Sequence, residues 1–224
     1  MESSHALIHI PGVPSFVAYT WIAMAVILCA AIVVRKSLSL VPGGTQNFLE
    51  SIIEALYGLC RENMEERWAD SVFPLVGTLA LFILLSNLMG LIPGFEAPTG
   101  NLNTTAACAV PVFFATHFFG LRAHGLHYIN HFLGPMRSIW ALPLMVMMFV
   151  IEVISHISRP LTLSIRLFGN MMSKHFLMAV AAMLVAPIVP VAILGLGVLV
   201  SVVQAFVFVL LATLYLAGAV EEAH

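Results

Sequence analysis

Charge is what this sequence has least of. Of its 224 residues only 9% are Asp, Glu, Lys or Arg, where a soluble domain carries about 25%. Hydrophobic residues make up 61% and mean hydropathy is +1.02. So little polar surface excludes an ordinary soluble enzyme, and so much apolar content excludes a disordered chain. An integral membrane protein remains. Cationic charge is also short, with 9 Lys+Arg against 11 Asp+Glu and a net charge of −2, so no basic field draws nucleic acid. Cysteine is scarce: Cys29, Cys60 and Cys108 have no metal or redox spacing and read as small packing residues. The first twelve residues hold no Lys or Arg, so a cleaved signal peptide is not indicated. Also missing are a GxSxG, an HExxH, a Walker loop and any internal repeat, and no cofactor is expected.

What the chain does have is long apolar runs. The pattern predicts one all-α membrane domain over residues 1–224, with about five membrane-crossing helices. A first span covers 13–34 and ends at Arg35-Lys36. Residues 45–70 are amphipathic and charged, which predicts an interfacial helix on the cytoplasmic side. Further spans cover 71–93 and 103–121, followed by a polar loop to Arg137. Residues 139–220 carry only four charges, Glu152, Arg159, Arg166 and Lys174, and one strong break at Pro187–Pro190. That predicts a helical hairpin with arms at 139–185 and 191–220. The first arm would be roughly 70 Å long, against a bilayer core of about 30 Å. It must tilt strongly or be divided near Pro160, and the lack of a polar loop favours tilt. Lys and Arg follow the first and third spans, which puts the N-terminus outside and the C-terminus in the cytoplasm.

Glu152, Arg159 and Arg166 are spaced seven and seven, so they return to within about 20° of one direction on a helix. Ser155, His156, Thr162, Asn170, Ser173 and Lys174 fall within about 60° of it. A polar stripe thus runs along an apolar helix. Each charge at membrane depth costs about 2.5–3.5 kcal/mol on insertion scales, so each should face protein or water. Glu152 has two readings, an internal pair with His156 or Arg159, or a place on an ion path. Arg159, beside Pro160, reads more as a fastener. Arg166 has no acid within helical reach, so its counter-charge belongs to another polypeptide. A guanidinium stays protonated, so Arg166 cannot relay a proton but can hold a fixed charge that gates ions. His175 lies about 180° round the helix from Arg166 and can line a water path on that other face. In the second arm, Gln204 either bonds across to the stripe or glues the hairpin, with Tyr215 on its face. His124, His127 and His131 share a helical spacing, but no Cys or acid completes a metal set, and a surface cluster is the simpler reading.

The block Ser158-Arg-Pro-Leu-Thr-Leu-Ser-Ile-Arg-Leu-Phe-Gly-Asn-Met171 closely resembles the signature of subunit a of the F-type ATP synthases. Val41-Pro-Gly43, Ser86-Asn-Leu-Met-Gly-Leu-Ile-Pro93, Gln204-Ala-Phe-Val-Phe208 and Tyr215 with Glu221-Glu222 add to the resemblance. It implies a non-catalytic stator subunit of the bacterial inner membrane, lying beside the c-ring, the subunit b peripheral stalk and the remaining subunits. It also implies that Arg166 is the essential arginine facing the c-ring carboxylates. Asn170 and Gln204 would sit near it, and Glu152 on an access path. His175 stands where some members carry Glu, in the half-channel on the far side. Gly197 stands where some members carry the complementary His, so a compact Glu/His pair is absent. Two other classes compete. A secondary transporter would bind an anionic substrate at Arg166, and an intramembrane enzyme would use His156 or His175 as a base, without a paired nucleophile. The coupling ion, proton or sodium, is not written in this chain.

Overall fold

In the computed structural model, residues 12–37, 43–92, 94–125, 128, 142–184 and 188–221 are described. Among these residues six α-helices follow one another: α1 Ser15–Ser37, α2 Gly44–Asn63, α3 Glu66–Met89, α4 Leu102–His124, α5 Leu142–Leu184 and α6 Ile188–Val220. One 3₁₀ turn, Pro98–Gly100, sits in the connection from α3 to α4, and no strand occurs among the described residues. Every helix except α2 contains a stretch long and apolar enough to cross a membrane. In lipid only internally bonded backbone is tolerated, which is why such a sequence resolves into helices.

Helices α3 and α6 form the centre. Val72, Val76 and Ala80 of α3 pack with Val209, Leu216 and Val220 of α6, beside Phe119 of α4 and Cys60 of α2. A second core joins Ile83 of α3, Cys108, Ala109 and Val112 of α4, Leu163 and Leu167 of α5, and Phe208 and Ala212 of α6. α1 is fastened at its N-terminal end, through Tyr19 and Ala23 against Met89, and leaves Leu28 and Val33 exposed. Cys60 and Cys108 are buried as expected, whereas Cys29 is exposed on α1. An outward apolar face in lipid makes even a cysteine an ordinary surface residue.

α2 is the amphipathic helix. Leu56, Leu59 and Cys60 turn inward, while Glu50, Glu54, Arg61 and Glu62 are exposed. It is shorter than the interfacial segment read from sequence at 45–70. The chain breaks at Met64 and Glu65, both extended, and Glu66–Asp70 begin the next span. The break is held by Arg61–Glu66 at 2.7 Å and by Tyr57, whose hydroxyl donates to Asp70 Oδ1 at 2.5 Å. That bond to a carboxylate raises the Tyr57 phenol above its ordinary pKa.

α5 is continuous for 43 residues, with Pro160 inside it. Proline there removes one backbone bond without ending the helix, because tertiary packing on both sides holds it: Leu163 and Leu167 lie buried against α4 and α6. At 1.5 Å per residue α5 is about 65 Å long, so it fits a bilayer core of about 30 Å only when steeply inclined. In α6, Pro190 occupies the first turn, where its missing N–H has no helical partner to lose. α4 and α5 are also tied by Thr105 and Ser164, whose hydroxyls lie 3.0 Å apart in the core. Ser164→Ala should lower the unfolding free energy of the solubilised protein by only about 0.6 kcal/mol, as interhelical bonds in membranes do. A thermal denaturation series in detergent checks this.

Candidate functional site

Leu163, Leu167, Met171 and Lys174 form the buried edge of α5, at helical spacing. Arg166 points elsewhere. It is exposed, and among the described residues it makes no hydrogen bond and no ion pair. Its exposed neighbours on the same face of α5 are Thr162, Asn170 and Ser173, and the rest of the outer surface is apolar, with Ile157, Leu161, Ile165 and Met172 exposed. Neighbouring α6 continues that face with Leu199, Val203 and Phe206. An unpaired guanidinium in such a setting is costly unless water or a partner's acid meets it. One turn on, exposed Asn170 donates Nδ2–H to Gln204 Oε1 at 2.5 Å, and Gln204 itself is buried. Gln204 therefore does both things read from its sequence position: it reaches the stripe and ties the hairpin.

Thr162 and Ser173 of the stripe are exposed beside Arg166, like Asn170, and the rest of it separates into two more covered groups on either side, around buried His156 and buried Lys174. Toward the start of α5, His156 Nε2 lies 3.2 Å from Glu152 Oε1, with the histidine side chain 8% exposed and the acid 30%. Arg159 lays its guanidinium over the Tyr215 ring at 5.3 Å, which gives both residues a packing role. His117 of α4 faces His156, their ring centroids 5.2 Å apart. A small cavity of about 10 Å³ is lined by Thr116, His156, Arg159, Leu163 and Tyr215, close to the least that admits one water.

Toward the end of α5, Lys174 is buried at 8% exposure. Its Nζ donates to Asn87 O at 3.2 Å and lies 3.3 Å from Ser201 Oγ. Thr99 donates to Asn87 Oδ1 at 2.7 Å, so α3, the 3₁₀ turn, α5 and α6 meet in one polar knot. A Cβ at Gly197 would lie 2.6 Å from Leu91 Cδ2 and 3.4 Å from Lys174 Cδ. Leu91 thus fills the space where a larger residue would stand, with the lysine stem in contact beside it. His175 turns to the α3–α4 connection, its ring 3.8 Å from where a Gly100 Cβ would be, with Glu96 and Lys174 in electrostatic reach. Glu96 accepts from Ser15 Oγ at 2.6 Å, joining that connection to α1. Between α5 and α6, Asn170, Ser173 and Lys174 face Ile193, Leu196 and Gly197 across a crevice of about 210 Å³.

The structure thus brings Asn170 and Gln204 together near Arg166, pairs Glu152 with His156, and seats Arg159 on Tyr215. Lys174 and His175 join the far group, although the helical wheel alone put Lys174 beside Arg166 on the stripe. His124 is the last residue of α4, while His127 and His131 lie outside the described residues. Sequence reasoning missed His117, Asn87 and Ser201. Each is one of the few polar residues in an apolar helix, and that rarity was a signal available for them.

A sequence profile described as "ATP synthase A chain" matches residues 17–217. Among curated proteins, the ATP synthase subunit a of Geobacter sulfurreducens is 50% identical over 208 residues, covering 93% of this chain and 88% of its own. Those of Trichlorobacter lovleyi and Geotalea daltonii are 48% and 50% identical over the same shares of both chains.

Proposed function

The chain belongs to the ATP synthase A chain family, and from that premise we propose that it is the ion-conducting stator of the membrane motor. It is a multi-pass membrane component of a bacterial ATP synthase. In the proposed mechanism it catalyses no bond chemistry. It provides two offset aqueous half-channels to the acidic residues of a ring of small subunits, the c-ring, with the subunit b stalk holding it still. The single observation that carries this is the placement of Arg166: unpaired among the described residues, exposed on the outer side of α5, between two separate polar groups.

The positive-inside distribution puts the N-terminus outside and the C-terminus in the cytoplasm. Glu152, His156 and Tyr215 then belong to the inner half-channel, with Arg159 fastening its wall. Lys174 and His175 belong to the outer one. Arg166 lies about 15 Å along the helix from His156 and about 12 Å from Lys174. An ion from one side neutralises a ring carboxylate, which can then leave Arg166 and turn through lipid. On reaching the other half-channel it releases the ion, becomes an anion again and is held by Arg166. Each charge crossing supplies about 2.3 kcal/mol per 100 mV, which a direct leak between the two paths would waste. Asn170 and Gln204 support this by fixing the two hairpin helices at the level of Arg166.

Copurification in mild detergent tests the assignment. A ring of small hairpin proteins should come down with this chain. Recovery of the chain as a free-standing transporter that takes up an anion would overturn it.

A further inference from the structure

His117 plays no part in the mechanism as drawn, yet it stands against its inner path. Its Nδ1 lies 2.9 Å from Phe113 O. A carbonyl only accepts, so Nδ1 keeps its proton in both charge states and Nε2 is the nitrogen that gains or loses one. Its ring and that of His156 approach from different helices, 5.2 Å between centroids and 63° between planes. Two imidazoles this close repel when both are charged, and Arg159 lies in electrostatic reach of His156 as well. Glu152 is an acid acting on the pair, at 3.2 Å from His156 Nε2. Tyr128 meets the other side of His117, its ring centroid 6.1 Å away, and Tyr215 of α6 closes the cavity beside His156. One negative charge and two adjacent imidazoles favour a single excess proton shared between the rings.

We infer that His117 and His156 form a proton-holding pair on the inner half-channel, loaded and unloaded through Glu152. This rests on the stator reading above. A proton leaving the Glu152 carboxyl lodges on His156 or His117 Nε2. From there it passes to the small cavity beside His156, which has room for about one water, and returns by the same steps in the reverse direction. Nothing but the proton moves, and the carboxylate and the pair exchange one positive charge.

The test is proton conductance of the membrane sector in proteoliposomes, with the pH on the Glu152 side varied. His117→Gln keeps a polar side chain but cannot titrate. It should slow conduction by roughly tenfold, less than the full worth of a positioned proton carrier because water substitutes in part. It should also flatten the pH dependence of conduction, because a titratable ring is lost. His156→Gln should do the same, and the double variant should be no slower than the slower single. Wild-type conduction in His117→Gln, a slowed rate with an unchanged pH profile, or multiplied effects in the double variant would each overturn the pair. Should a variant fail to assemble, ¹⁵N-histidine titration of the intact wild-type complex decides. Linked steps for the two rings support the pair and independent steps reject it. Arg166→Ala run alongside separates the two ideas: coupled synthesis in that variant removes the gate, whereas a silent Arg166→Ala beside a wild-type His117→Gln removes only the pair.

Discussion

Arg166→Ala abolishes ion-driven ATP synthesis by the reconstituted complex, a fall of at least about a hundredfold, the scale on which a preorganised charge acts. The subunit itself should still fold and assemble. Arg166 is exposed and bonds to nothing among the described residues, so its removal deletes no internal contact. What disappears is a positive charge that cannot be titrated away. Without it an ionised ring carboxylate has no preferred station, and a proton can pass from one half-channel to the other without rotation. Arg166→Lys should be intermediate, because an ammonium keeps the charge but sheds its proton in a dry site. Synthesis under an imposed pH difference, beside a census of copurified subunits, separates lost gating from lost assembly.

Gly90→Val should prevent the folded subunit from accumulating. Gly90 closes α3 with a φ of −68°, so its backbone suits any residue. Space is the constraint: a Cβ there would lie 2.5 Å from Ala97 Cβ and 3.3 Å from Ala97 Cα. Backbone on the far side cannot rotate out of the way. The α3–α4 connection would be pushed off, and it carries the Thr99–Asn87 bond, the seat of His175 and the Tyr19–Gly94 contact. Overpacking of this kind costs about 3 kcal/mol, a large share of what holds a domain together. Gly58→Ala is the control, since nothing lies within 4 Å of its Cβ position, and a helical alanine should be neutral or slightly stabilising. Membrane-fraction yield and thermal denaturation in detergent measure both.

Much of this architecture was legible in the sequence because lipid imposes it. Apolar length gave the spans, and the lack of a polar loop near Pro160 pointed to one undivided helix, as α5 is. The end of the interfacial segment was misplaced because charge does not mark the water boundary here. Glu66, Arg67 and Asp70 are exposed in the first turns of α3, whose core begins at Ala69 and Val72. The seven-residue spacing of Glu152, Arg159 and Arg166 was equally plain, but a helical wheel has no neighbours. It could not tell that α4 and α6 would cover His156 and Lys174 while leaving Arg166 outside. Nor could it pair His117 with His156, because they meet only when α4 packs on α5. The close packing at Gly197 was hidden for the same reason: Leu91, which fills the space beside it, belongs to the segment after α3.

The separation of two half-channels by Arg166 is tested most directly by proton conductance with the ring locked to this chain by a disulfide. In the wild type, locking should stop conduction, because a ring carboxylate cannot travel from one path to the other. In Arg166→Ala, conduction should survive locking, because one stationary carboxylate can then be reached from both sides. Conduction through the locked wild type, or a locked Arg166→Ala variant as tight as the locked wild type, would contradict the account.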